Sequence, residues 1–473
     1  MTLPSPDTTS TFEETCIDTI RFLAVDAVQR AESGHPGMPM GLAPVAHTLW
    51  TRHLNYDAAH PDWPDRDRFV LSAGHGSMLL YAMLYLTGYG LTLDDLEHFR
   101  TLGSRTPGHP EYGHTPGVDT TTGPLGQGFG NAVGMAIAEA FLGATFRDER
   151  GALIDHHTYV IASDGDLMEG VSSEAASLAG HLGLGKLIVL YDDNQVSLDG
   201  PTGRAFTEDR MARFAAYAWH TQVVRDANDL AALDAALEAA RAETGRPSII
   251  AVRSHIGYGS PHLQDTSKAH GAALGPDEVK ATKENLGWPL EPAFYVPDDV
   301  LLYYREAGAR GAKARRAWEE RVAAWRAASS DDAGRWDRAF AREPAPGWRE
   351  ALPVYGADSP AVATRSVSGT CLNALAPFLP TLIGGSADLA SSNDTQLSDA
   401  EVFTAGSPEG RNVWFGVREH AMAAAANGMA LHGGVVPYVG TFFVFTDYMR
   451  PALRLAALMG APVKYVLTHD SIG

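Results

Sequence analysis

The chain has 473 residues, 45% of them hydrophobic and 20% charged, a balance that excludes a disordered or fibrous protein. Lys and Arg number 37 against 57 Asp and Glu, so the net charge of −20 excludes an extended nucleic-acid surface but leaves room for a small basic pocket. At roughly 150 residues per domain, the length allows two to four domains with sizeable cores.

Along the chain, short β-branched runs alternate with longer helical ones. Residues 68–72, 159–162, 187–191 and 248–252 read as buried strands. Between them, 131–146 is rich in Ala and Met and 229–243 in Ala, Leu and Glu, as helices are. Continuous apolar strands separated by helices predict a parallel sheet covered on both faces, with functional groups in loops at the strands' carboxyl ends. The periodicity weakens after about Phe294, and 305–349 carries many charges, Ala and Trp before Glu343-Pro344-Ala345-Pro346-Gly347. This reads as a helical segment running into an extended linker. A second α/β series begins near Ala361, with strands expected at 381–385, 435–439 and 463–467.

Asp164-Gly165 ends the 159–162 strand, and Asn194 follows the next one, one βαβ unit later. A carboxylate, an amide oxygen and the Val196 carbonyl at one sheet edge suit a hard divalent cation such as Mg²⁺. Gly165 removes a side chain where a phosphate could approach the backbone. The plainer reading is two unrelated strand-to-helix turns. Gly123-Pro124-Leu125-Gly126-Gln127-Gly128 precedes a helix, where free amides can meet a diphosphate or simply cap the helix.

Four Gly-flanked loops carry His35, His75, His109 and His270. A single loop histidine is ordinarily just solvated; four in loops of one parallel sheet point to proton transfer or phosphate binding. Glu419 opens an Ala/Met helix after Arg418, where pattern alone favours a helix-start carboxylate. Phe442, Phe443, Phe445 and Tyr448 follow a strand and by themselves read as core. Two cysteines, Cys16 and Cys371, build no disulfide framework and suit a reducing cytosol, hence a cytoplasmic protein. No run reaches the roughly 18 apolar residues of a membrane span, and residues 1–11 lack the basic start of a secretory signal.

In order along the chain, SGHPGMPMG (from Ser33), AGHGSMLLYAMLYLTGY (from Ala73), TPGHPEYGHTPGVDTTTGPLGQG (from Thr106), SDGDLMEG (from Ser163), YDDNQVSLDG (from Tyr191), GSADLASSN (from Gly385), FGVREHAM (from Phe415), PYVGTFFVFTDYM (from Pro437) and THDSIG (from Thr468) resemble transketolases. The resemblance covers the chain from about Phe12 onward. It implies an α/β thiamine diphosphate-binding fold of two successive parallel-sheet domains. A diphosphate-binding domain is expected at 1–325, a linker at 326–355 and a pyrimidine-binding domain at 356–473. That second domain is expected to be incomplete and the family's third, carboxyl-terminal domain absent, with activity correspondingly low.

The resemblance also implies the site. Asp164, Asn194 and the Val196 carbonyl stand as Mg²⁺ ligands (Ca²⁺, Mn²⁺ or Co²⁺ could substitute). His75, Gly123, Pro124, Leu125, Gly165, Asn194 and His270 stand as cofactor contacts. Glu419 stands at the pyrimidine ring, inside an apolar pocket of Phe442, Phe445 and Tyr448. His35, His109, His270 and His469 stand as proton carriers at the substrate, and Arg365 and Ser392 as contacts to its phosphate. Ser163 departs from the Gly usual before Asp164. The implied reaction moves a two-carbon ketol unit from xylulose 5-phosphate, sedoheptulose 7-phosphate or fructose 6-phosphate to ribose 5-phosphate, glyceraldehyde 3-phosphate or erythrose 4-phosphate. It belongs to the pentose phosphate pathway and runs in a homodimer with sites at the subunit interface, without nucleic acid or membrane. A non-catalytic homologue, a formaldehyde-using transketolase and a deoxyxylulose-phosphate synthase-like enzyme are the alternatives.

Overall fold

The computed structural model describes residues 11–470, so the start at 1–10 and the last three residues of the THDSIG motif lie outside the described residues. Five parallel strands form the first sheet: β1 (Arg68–Leu71), β2 (Thr158–Ser163), β3 (Leu187–Asp192), β4 (His220–Val224) and β5 (Ser248–Val252). Their order is β1-β2-β3-β5-β4. Alternate residues feed opposite faces, as the strand period of two requires. Val160, Val189 and Ile249 enter one core, while Tyr159, Ile188 and Ile250 enter the other.

The sequence reading missed β4. Its residues, His-Thr-Gln-Val-Val, are mostly half-buried at the sheet edge, and Val223 is 60% exposed. An edge strand with one wet face lacks the continuous apolar run that marks its neighbours.

On one face lie α1 (Phe12–Ala31), α2 (Gly37–Thr48) and α3 (Ser77–Thr87); on the other lie α4 (Gln127–Thr145), the single turn α5 (Asp164–Met168) and α6 (Gly170–His181). After α7 (Leu230–Ala242) the chain forms α8 (Asp298–Ala328) and α9 (Ser330–Ala341). Trp336 of α9 is buried against Phe146, with ring centroids 5.1 Å apart, and also meets Trp318 and Trp325. The first half of the expected linker is therefore helix packed on the first unit, and its remainder falls in a stretch, 342–363, without helix or strand.

The second sheet contains β6 (Leu382–Ser386), β7 (Val436–Phe442) and β8 (Lys464–Thr468), parallel and in that order. Its helices are α10 (Thr364–Leu375), α11 (Glu419–His432) and α12 (Thr446–Met459). The two units share one core, because α11 lies directly on α4. Glycines permit the contact: a Cβ on Gly134 would lie 1.8 Å from the Ala425 carbonyl oxygen, and one on Gly428 would lie 1.8 Å from that of Asn131. Backbone meets backbone, and the two helix starts come together, with Gln127 Nε2 2.6 Å from His420 Nε2. Replacing Gly428 by Ala should therefore destabilise the chain by about 1–3 kcal/mol through overpacking, read as a lower urea midpoint. An unchanged midpoint would mean that the helices can separate freely.

Candidate active site

The loops at the carboxyl ends of the first sheet bring the four histidines together. His35 lies 5.2 Å from His75, 6.3 Å from His109 and 5.7 Å from His270, ring centre to ring centre, and His75 stacks on His270 at 5.1 Å. Absent side chains make the convergence possible. A Cβ on Gly74 would lie 2.5 Å from the Gly123 amide nitrogen, and one on Gly37 would lie 2.4 Å from the Ala269 carbonyl oxygen. Burial holds the pKa of all four rings below the ordinary imidazole value, with their neighbours adding to the effect for His35, His75 and His109. For His35, burial first and His270 second bring it to about 4. The Nδ1 atoms of His35 and His270 are buried without a hydrogen-bond partner.

Beside this cluster, Ser163 pairs with Asp192 in the β2–β3 register, so Asp164 and Asn194 leave the sheet at the same edge. Asp164 is 3% exposed; one carboxylate oxygen accepts the Tyr191 hydroxyl, and the other is buried with no partner. Burial raises its pKa to about 6, and the Asp193 carboxylate adds to the rise. Asn194 is held side-on: its Nδ2 donates to Asp192 (2.7 Å), and its Oδ1 accepts the Val196 amide (2.9 Å). An orphaned buried carboxylate oxygen beside an oriented amide oxygen fits a hard cation that brings further oxygens with it. Among the described residues no three His, Cys, Asp or Glu side chains are grouped to hold a metal unaided.

Two sequence-based reasons change. A Cβ on Gly165 would lie 2.8 Å from Leu125 Cδ1, so this glycine makes room for a side chain of the Gly-rich loop. The start of α4 is also less open than expected. The Gly126 amide donates to Asp166 (2.8 Å) and the Phe129 amide to Ser72 Oγ (3.0 Å), so both are already partnered. Asp166, fully buried, also accepts Ser72 Oγ and both the amide and hydroxyl of Ser163. Sequence reasoning passed over this carboxylate, although Ser163-x-x-Asp166 has the spacing of a helix capping box. Ser163, the departure from the family's Gly, is that helix cap.

The second unit assembles another group at its own strand ends. Phe442 pairs with Thr468 in the β7–β8 register, and its ring lies 5.0 Å from His469. Arg365 Nη1 is 3.2 Å from His469 Nε2. Ser392 precedes Asn393, whose amide donates to Thr468, so it belongs to the same edge. The aromatics are not core: Phe442 and Phe445 are half-buried, while Phe443 and Tyr448 are 59% and 64% exposed. Phe442, Phe445 and Tyr448 form a row with centroids 6.1 and 6.0 Å apart.

Glu419 is 8% exposed at the start of α11. It does not cap that helix; Glu174 of α6 does, accepting the Ala421 amide (2.9 Å). Among the described residues, no hydrogen bond, ion pair or ring contact joins Glu419 or the aromatic row to Asp164 or the four histidines.

Residues 12–344 match the thiamine diphosphate-binding domain of transketolase, and residues 360–473 match the transketolase pyrimidine-binding domain. The chain is 57% identical over 461 residues to the transketolase of Geobacillus stearothermophilus, covering 97% of this chain and 69% of that protein. It is 53% identical to that of Bacillus subtilis, again covering 69% of the relative. Among solved structures, transketolase from Leishmania mexicana superposes with a TM-score of 0.95 at 47% identity, over 98% of this chain and 69% of that one. Transketolase from Pichia stipitis in complex with sedoheptulose 7-phosphate superposes equally well at 45% identity. The chain belongs to the transketolase family, whose members transfer ketol groups.

The depressed imidazoles have a consequence for stability. His35 titrates near 4 when folded but near 6.5 as a free side chain, so unfolding takes up a proton between those values. Its contribution is fully present above pH 6.5 and is lost as the pH falls toward 4. His35→Asn should flatten the fall of urea-unfolding free energy across that window by up to about 1.4 kcal/mol per pH unit. An identical slope would mean that His35 is already charged in the folded chain.

Proposed function

We propose that the Asp164–histidine group of one chain and the Glu419–aromatic group of a second copy together enclose one thiamine diphosphate, held through Mg²⁺. The observation that carries this reading is the partnerless buried oxygen of Asp164 beside the oriented Asn194 amide. Asp164, Asn194 and the Val196 carbonyl would hold the cation. His75, His270 and the segment Gly123-Pro124-Leu125 would line the diphosphate and thiazolium, with Gly165 leaving space for Leu125. Two copies are favoured because each chain has unmatched apolar surface near its second group: Trp414 and Val417 are 66% and 74% exposed, and Tyr448 is 64% exposed. The two free cysteines, neither in a disulfide, fit a reducing cytoplasm. No helix of the described residues is long and apolar enough to cross a membrane.

When bound, thiamine diphosphate supplies the carbanion chemistry that breaks and re-forms the ketose carbon–carbon bond. The protein's residues supply geometry and proton transfer. Glu419, largely out of water, would hold a proton at the pyrimidine nitrogen, between half-buried aromatic faces. His35 and His109, uncharged at neutral pH, are free to accept a proton from a substrate hydroxyl and return it. His270 and His469 would serve the same hydroxyls from the two sides. Arg365, half-buried beside the exposed His469, and Ser392 would receive the sugar phosphate, a donor set matched to a phosphate's oxygens.

Calorimetry with Mg²⁺ and thiamine diphosphate tests the cation site: Asp164→Ala should lower affinity by more than tenfold, and unchanged binding would remove the site. Mixing Asp164→Ala chains with Glu419→Ala chains tests the shared site. Ketol transfer should reappear in the mixture, because one heterodimer site then keeps both groups; inactive dimers would require sites within one chain.

A further inference from the structure

Arg100 stands between two of the histidine loops and has no role in the site as described so far. Its Nη1 donates to Ser33 Oγ (2.8 Å), two residues before His35. Its Nε lies 3.1 Å from where a Cβ on Gly108, the residue before His109, would sit. The preceding residue, Phe99, fills the space beside Gly34: a Cβ there would lie 2.9 Å from the Phe99 ring. Segment 99–100 therefore touches both loops where they lead into their histidines.

The backbone is bent to make this fit. Arg100 has φ of 61°, the left-handed region that a non-glycine residue adopts only when its surroundings impose it. Its amide donates to the Thr106 carbonyl (3.0 Å), which closes the 100–106 loop and fixes that turn. The guanidinium is poorly matched for its surroundings. Nε is buried without a partner, and among the described residues Arg100 forms no ion pair. Its charge meets the Ser33 hydroxyl and the Phe99 ring, whose centroid is 5.5 Å from Cζ, but among the described residues no carboxylate pairs with it, so it acts on its neighbours as an uncompensated positive charge.

The groups facing the two histidines can be named. Around His35 stand His75, His109, His270 and Arg100, with no carboxylate among them. Around His109 stand Arg100 and Glu111, of which Arg100 has the larger effect. We propose that Arg100 is a positioning residue for ketol transfer, tying the loops of His35 and His109 together and, by its unpaired charge, keeping both imidazoles free to accept a proton. The proposal rests on reading these two histidines as proton carriers.

The test uses the full chain labelled with [¹³Cε1]histidine, titrated by NMR, with His35→Asn and His109→Asn identifying the two signals. In Arg100→Met both midpoints should rise, by about 0.5–1 pH unit, and the acid limb of the pH profile for ketol transfer from xylulose 5-phosphate should move up with them. Arg100→Lys keeps the charge and should restore the midpoints. Ser33→Ala cuts the tie while leaving the charge, and should lower kcat with the midpoints in place. Where Arg100→Met does not fold, Arg100→Gln replaces it. Unmoved midpoints in a folded charge-removed variant overturn the proposal, because a purely structural arginine would change stability alone. Moved midpoints with wild-type turnover in His35→Asn and His109→Asn would instead refute the histidines as proton carriers while leaving the electrostatic effect of Arg100 intact.

Discussion

The contact between α4 and α11 is the constraint on which the rest of the structure depends. At Gly134 and Gly428 the helices meet backbone to backbone, and no side chain intervenes to let them slide. Two sheets are thereby fixed to each other, and so are the starts of α4 and α11. One follows the 123–126 loop, and the other begins with Glu419. The alanines of α11 are the sequence form of this geometry: the face that meets α4 has no room for larger residues, so a segment that looks compositionally bland is the most tightly specified in the chain.

Electrostatics around the first group follow from burial. Desolvation lowers the pKa of all four half-buried imidazoles, and neighbouring histidines add to the effect at His35 and His75. Asp164 is perturbed in the opposite sense by the same cause, since a carboxylate kept from water resists ionising. The cluster is therefore short of charge on both counts, with neutral rings and a reluctant acid. A cation brought in with its own anionic ligand would relieve Asp164 directly, and the neutral rings could still donate or accept on either side.

Much of this was legible in the sequence where one physical rule dominates. Fully buried strands show as β-branched runs, so β2, β3 and β5 were readable; β4, half wet at the edge, was not. The convergence of the histidine loops was readable because glycines flank each ring at the end of a parallel strand or before a helix. Contacts set by tertiary packing were not readable. Nothing in the local pattern around Trp318, Trp325 and Trp336 says that these residues close a helical layer rather than lead into a linker. The aromatic run after β7 has the composition of a core, yet it lies at the surface, because composition reports that a face is apolar and not what covers it. Arg100 is likewise silent in sequence, since an arginine's partner, or the lack of one, is a fact of three dimensions.

The capping of α4 changes how an anion can be held at the Gly-rich loop. A free helix start would offer its amides and the positive end of its dipole. Here Asp166 and Ser72 occupy the Gly126 and Phe129 amides, and burial raises the pKa of the Asp166 carboxyl at that spot. A diphosphate arriving at this edge therefore finds a helix end whose attraction is largely answered. On the proposed reading the positive charge would come from a cation, and among the described residues Asp164 with Asn194 is the pair at that edge proposed to receive it. On that proposal, the same buried carboxylate that stiffens the loop would make cation and diphosphate interdependent, each poorly held without the other.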